Sequence, residues 1–144
     1  MYSLIKTLHS SIAWITLILI IIAIITALIS VSGKKNLSGS NFKMVFYAFI
    51  VVHIQLLLGL ILYFVSPNGF SSLSSETMKD SSARLVALEH PLINIIAIIL
   101  LTIGYIKAKK ALDNGNAGKT VLLFYTIALV LLLSRIPWSL WLNM

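Results

Sequence analysis

Five ionisable side chains stand inside otherwise apolar stretches of the 144-residue chain: His9, His53, Glu89, His90 and Arg135. Gln55 and Asn94 add uncharged polarity. The sequence has three histidines and no cysteine, which excludes disulfides, thiolate metal sites, covalent c-type heme attachment and cysteine nucleophiles. Imidazole ligates heme iron, copper and zinc. A structural zinc site takes four ligands, often thiolates. Copper more naturally recruits methionine or cysteine, but Met1, Met44, Met78 and Met144 lie at the ends of apolar runs or between them. Heme needs only two axial histidines on helices that face one another. His9 and His90 are the expected pair, with Asn94 in the surrounding shell and Arg135 as a partner of the heme propionates or of the ligand shell. His53 remains open as an alternative ligand, a proton relay or a hydrogen-bonded core histidine.

The elements that must position these groups follow from composition. The chain is 59% hydrophobic and 10% charged, with a mean hydropathy of +1.01. A soluble domain of this length could not hide that much apolar surface, so the lipid bilayer is the expected solvent. Four apolar runs are long enough to cross it: Ile12–Val31, Met44–Val65, Val86–Ile106 and Val121–Leu142. Polar turn sequences separate them: SGKKNLSGSN, SPNGFSSLSS and DNGNAGK. The fold class read from this pattern is all-α, a four-helix transmembrane up-down bundle. It forms one membrane domain over residues 1–144, with helices at about 4–32, 42–66, 83–111 and 117–142 and a loop at 67–82. In that loop Ser74 and Ser75 are expected to cap a short helix from Glu76 to Leu85. It could be a lid on the membrane surface or a plain connection. The N-terminal apolar run exceeds a signal-peptide core and has no A-x-A-like cleavage site, so it reads as a retained helix.

The net charge of +7 does not imply a nucleic-acid partner, because the basic residues flank apolar spans, where they encode topology. Lys34, Lys35, Lys43, Lys107, Lys109, Lys110 and Lys119 fall on one side with the single acid Asp113. Lys6, Lys79, Arg84 and Arg135 fall on the other, balanced by Glu76, Asp80 and Glu89. The positive-inside rule places the first side in the cytoplasm and both termini outside. In a bacterium this means the inner membrane, with periplasmic termini.

Helical rise then orders the polar groups by depth from the outer boundary. His90 lies roughly 6 Å deep, Arg135 roughly 10 Å and His53 roughly 18 Å, with His9 near the boundary of the first span. His9, His90 and Arg135 therefore share a level, and spans one and three are diagonal in an up-down bundle. Asn94 lies one turn below His90 on the same face. Pro91 fits the first turn of a helix, where a missing N–H costs least. Glu89, about 100° around the helix from His90, is free to meet Arg84, Arg135 or water.

The segments MYSLIKTLHSSIAW, HIQLLLGLILYFVSP, EHPLINIIAIILLTIGYIKAKKA and the terminal IPW resemble the small four-helix "cytochrome b" membrane proteins common in Bacteroidetes, over almost the whole chain. That resemblance implies a heme b protein. A weaker likeness, through Gln55, Leu58, Gly59 and Pro67, is to one half of heme A synthase, and the ligand pattern it implies again falls on His9 and His90. The family's first motif reads H-S-x-x-R-W. His9, Ser10 and Trp14 match it, whereas Ala13 stands at the arginine position. An arginine there would pair with a heme propionate.

The leading expectation is thus a membrane b-type cytochrome with one heme near the outer face, relaying electrons as part of a respiratory complex. Quinone or another cytochrome would be its exchange partner. Given Ala13, the alternative is a cofactor-free accessory subunit of a larger membrane complex. A third reading is a membrane enzyme acting on heme or quinone, with His53 and Glu89 handling protons. No motif supplies a substrate pocket that favours this third reading, so the expectation leans to an electron-transfer or accessory subunit over an enzyme.

Overall fold

In lipid every backbone polar group must be satisfied within its own segment, so apolar runs of this length become helices. The structure, a computed structural model, describes residues 1–143. In chain order the helices are α1 (Tyr2–Ser32), α2 (Ser40–Val65), α3 (Ser75–Lys79), α4 (Ser81–Arg84), α5 (His90–Lys110), α6 (Ala117–Ser134) and α7 (Trp138–Trp141). There is no strand among the described residues. Four helical stretches are long and apolar enough to cross a membrane: α1, α2, α6 and the continuous stretch Ser81–Lys110. The chain is a multi-pass membrane protein with the expected all-α bundle.

The helices form a ring in which α1 packs on α2 and α6, and α5 packs on the same two. The diagonals are therefore α1 with α5 and α2 with α6. Small residues let the helices approach: Ala23, Ala27, Ala48, Ala97, Ala108, Ala117 and Ala128 are all buried. At Gly104 a Cβ would lie 2.3 Å from the Cβ of Phe124, so α5 and α6 can meet there only through glycine. In the lysine-rich half of the bundle Tyr125 crosses the α6–α2 diagonal, and its hydroxyl donates to the Val45 carbonyl at 3.0 Å. That ring fills the bundle axis. The opposite half, where the chain termini lie, holds a cavity instead.

Two elements differ from the sequence reading, both at prolines. The fourth helix does not run to residue 142. It stops at Ser134, and Arg135 leaves the helical conformation (φ −126°, ψ 19°). Pro137 has no N–H and disfavours a helical Ile136. The Leu133 carbonyl, which an N–H at position 137 would have capped, accepts from the Trp138 indole N–H at 3.2 Å instead. Arg135 is therefore not a mid-helix residue but the end of one.

In the third span Pro91 stands in the first turn of α5, but α5 does not begin the helical stretch. Helical structure starts at Ser81, capped by the Asp80 carboxylate, which accepts from the Ala83 N–H at 2.7 Å. It widens to a π-turn over Leu85–Glu89 before α5 begins, a distortion common at functional sites. The Ala87 carbonyl, which loses its partner to Pro91, accepts from the Tyr63 hydroxyl of α2 at 3.0 Å. His90 thus lies roughly 14 Å along the helix from Ser81, not one turn inside it. The short helix expected from Glu76 to Leu85 is two pieces: α3, capped by Ser74, and the start of this span.

Candidate functional site

The cavity has a volume of about 290 Å³ and is walled by α1, α2, α5, the end of α6 and α7. This volume is at the lower end of the range for small-molecule sites. Leu17, Val52, Leu56, Ile98 and Leu132 make its apolar interior, while Tyr2, Lys6, Ser66 and Asn68 lie towards its mouth. Along α1 it reaches from Tyr2 to Leu17, roughly 22 Å by helical rise. Pro137 turns the chain so that Ile136, Pro137, Leu140 and Trp141 cover one side. The Trp141 ring stacks on Trp14 of α1, centre to centre 4.4 Å.

His9 and His90 both face this cavity. Their ring centres are 6.3 Å apart and their planes nearly perpendicular, at 84°. The diagonal placement and common level of the two histidines follow from the ring of helices.

His90 is oriented by the break at Pro137. Its Nδ1 lies 2.8 Å from the Arg135 carbonyl oxygen, which a continued helix would have turned into its own hydrogen-bond ladder. A carbonyl only accepts, so Nδ1 carries the proton and Nε2 keeps its lone pair. Metal-ligating histidines have this arrangement, with the second ring nitrogen donating to a carbonyl. Asn94 Nδ2 lies 3.2 Å from Nδ1 and 3.1 Å from Nε2. Such near-equal distances place the amide nitrogen across the ring rather than along either nitrogen's in-plane direction, so it leaves the Nε2 lone pair largely unspent.

His9 has a similar cradle on α2. Gln55 Nε2 donates to the His9 backbone carbonyl at 2.9 Å. It lies 3.1 and 3.4 Å from the two ring nitrogens, again across the ring. A Cβ at Gly59 would come within 3.1 Å of His9 Cε1, so glycine gives the imidazole its place against α2. The outward oxygens of both carboxamides, Gln55 Oε1 and Asn94 Oδ1, are buried with no hydrogen-bond partner among the described residues.

Arg135 contributes its carbonyl, not its guanidinium, to this site. Its side chain lies outside the cavity wall. There Nε is 3.4 Å from Glu89 Oε2, and Nη1 donates to the Ser134 carbonyl at 3.2 Å. Arg84 holds the other oxygen of Glu89 at 2.7 Å and also donates to the Met78 carbonyl at 2.7 Å. Glu89 therefore ties the loop and the end of α6 together and stands apart from the imidazoles.

His53 is separate from the cavity. Its Nδ1 donates to the Phe49 carbonyl at 2.7 Å, and Thr102 Oγ1 lies 3.2 Å from its Nε2. The Phe49 ring packs on it at 4.4 Å. Its polar atoms are used between α2 and α5, as in a core histidine.

The sequence reading placed His9, His90, Asn94 and Arg135 near one another, and the structure brings them together. It missed that Gln55 and Gly59 cradle His9 and that Lys6 lines the cavity. The signals were present: Gly59 follows Gln55 by one turn, and Lys6 precedes His9 by three residues on one face.

Two imidazoles sharing one metal ion, each through a bond of about 2 Å, hold their ring centres roughly 6 Å apart when the ion lies between them. The observed 6.3 Å matches that separation, and His9 and His90 are the residues that would hold a heme iron. The two unpartnered carboxamide oxygens do not add to that fit, since a porphyrin offers them no donor. Comparisons with protein-family models, with curated proteins and with solved structures find no match to this chain.

Proposed function

We propose that the chain is a small b-type cytochrome of the bacterial inner membrane, with His9 and His90 as axial ligands of one heme. The observation that carries this reading is the facing of two imidazoles across one cavity at 6.3 Å. The resemblance of the sequence to small four-helix cytochromes points the same way. Heme held there supplies a one-electron couple. The chain's own residues do the positioning: the Arg135 carbonyl fixes the His90 tautomer and raises the basicity of Nε2, Gln55 and Gly59 seat His9, and the apolar wall excludes water. The role is electron relay with a quinone or another cytochrome, as a subunit of a respiratory complex. The lysine distribution supports periplasmic termini and hence a site on the periplasmic side.

Purified protein titrated with hemin and recorded oxidised and reduced tests this. Wild type is expected to show b-type absorption. His9→Ala and His90→Ala should each lose it while keeping helical content, and Glu89→Gln should keep it. A wild type that stays colourless with hemin in excess overturns the reading. It would leave the second one, a cofactor-free accessory subunit, which is favoured by the polar neighbour each imidazole already has in Gln55 or Asn94.

A further inference from the structure

We propose that Lys6 anchors a carboxylate carried by the apolar ligand of this cavity, that is, a heme propionate; the proposal rests on the heme reading above. Lys6 lies in the cavity wall with His9. It precedes His9 by three residues on α1, so it shares that face and stands roughly 4–5 Å nearer the mouth. The wall there is polar, with Tyr2, Ser66 and Asn68, and turns apolar below the imidazoles. An amphipathic ligand with its acidic edge outward matches that polarity.

Among the described residues the protein supplies no acid to Lys6. The chain has four carboxylate side chains, and both ion pairs among the described residues use Glu89, with Arg84 and Arg135. Glu76 lies in the first turn of α3 and Asp80 caps α4. Asp113 lies between α5 and α6, at the opposite end of the bundle. Lys6 is a half-buried residue near the outer end of α1, and a carboxylate on the ligand would give its ammonium a counter-ion at the cavity mouth. Arg135, the sequence's first choice for this role, is turned away to Glu89 and the Ser134 carbonyl.

The test is hemin binding by absorption titration, using hemin and its dimethyl ester with wild type, Lys6→Gln, Lys6→Arg and Lys79→Gln. Lys6→Gln is expected to weaken hemin binding roughly tenfold, the scale of a charge-assisted hydrogen bond partly open to solvent. Lys6→Arg should retain most of the affinity. Wild type should lose a similar factor on going to the ester, and Lys6→Gln should lose little more. Lys79→Gln, on α3 and away from the cavity wall, should bind hemin close to wild type. The midpoint potential should fall in Lys6→Gln, because a cation near the iron is gone. Wild type that binds hemin but is indifferent to esterification, or Lys6→Gln that binds like wild type, overturns the proposal and leaves the heme reading standing. Wild type that binds no hemin overturns both.

Discussion

Which nitrogen of His90 carries a proton is decided by a neighbour that can only accept, the Arg135 carbonyl. Asn94 is less important to it than its position suggests. Its amide lies across the imidazole, and its oxygen is buried without a donor among the described residues. An unsatisfied buried acceptor costs about 1–3 kcal/mol, so Asn94→Leu, of similar volume, should leave stability unchanged or raise it by about 1 kcal/mol. Denaturation in detergent checks this, and a clear loss would give the amide contacts a structural role. At Gly59 the direction is opposite. Gly59→Ala places a methyl 3.1 Å from His9 Cε1 and should weaken hemin binding roughly tenfold with the helices intact. His53→Ala should keep the reduced heme spectrum, since His53 lies between Phe49 and Thr102 and away from the cavity. It should still lower stability by roughly 1–3 kcal/mol through lost packing and the lost hydrogen bond to the Phe49 carbonyl.

Two prolines shape the elements that hold the site, and each leaves a carbonyl that another side chain must satisfy. Pro91 strands the Ala87 carbonyl, and Tyr63 reaches over from α2 to donate to it. Tyr63→Phe should therefore destabilise the protein by about 1 kcal/mol. In a Pro91→Ala background the backbone N–H restored at that position can itself donate to the Ala87 carbonyl, so the same change should cost much less. A double-mutant cycle reads that coupling directly, and additive costs would mean the hydroxyl serves something else. Pro137 ends α6, frees the Arg135 carbonyl for His90 and turns α7 across the cavity. Pro137→Ala permits the helix to continue. It should loosen His90 and lower hemin affinity more than Arg135→Gln does, because only the backbone of Arg135 touches the imidazole.

At the scale of the molecule the two halves of the bundle differ. Tyr125 closes one along its axis, and the histidine cavity opens the other. Seven of the eleven basic residues lie at the closed end. Cysteine placed at Ser32 or Asn116 should be labelled from the cytoplasm, and at Ser72 from the periplasm. The cysteine-free sequence makes each single-cysteine variant unambiguous. Reversed labelling would move the cavity to the cytoplasmic side and remove a periplasmic electron partner from the proposed role.

Hydropathy and turn chemistry alone determined the number of membrane-long helices, the up-down order and, within about two residues, most of their ends, because a bilayer admits few other solutions. Helical rise put His9 and His90 at one level, and the ring of four helices made their hosts diagonal. What the tertiary structure decided is which polar group meets which: Gln55 with His9, the carbonyl rather than the guanidinium of Arg135 with the site, and Lys6 with the cavity. Helices that are apolar on all sides carry little amphipathic signal, so their rotation about their own axes is not written in the sequence pattern. Neither is the end of α6. The apolar run continues through Trp138, Leu140 and Trp141, which concealed a break at Pro137 that the packing of Trp138 and Trp141 makes plain. Rotation and termination are set when side chains from different helices compete for the same volume, and the chemistry of this cavity depends on both.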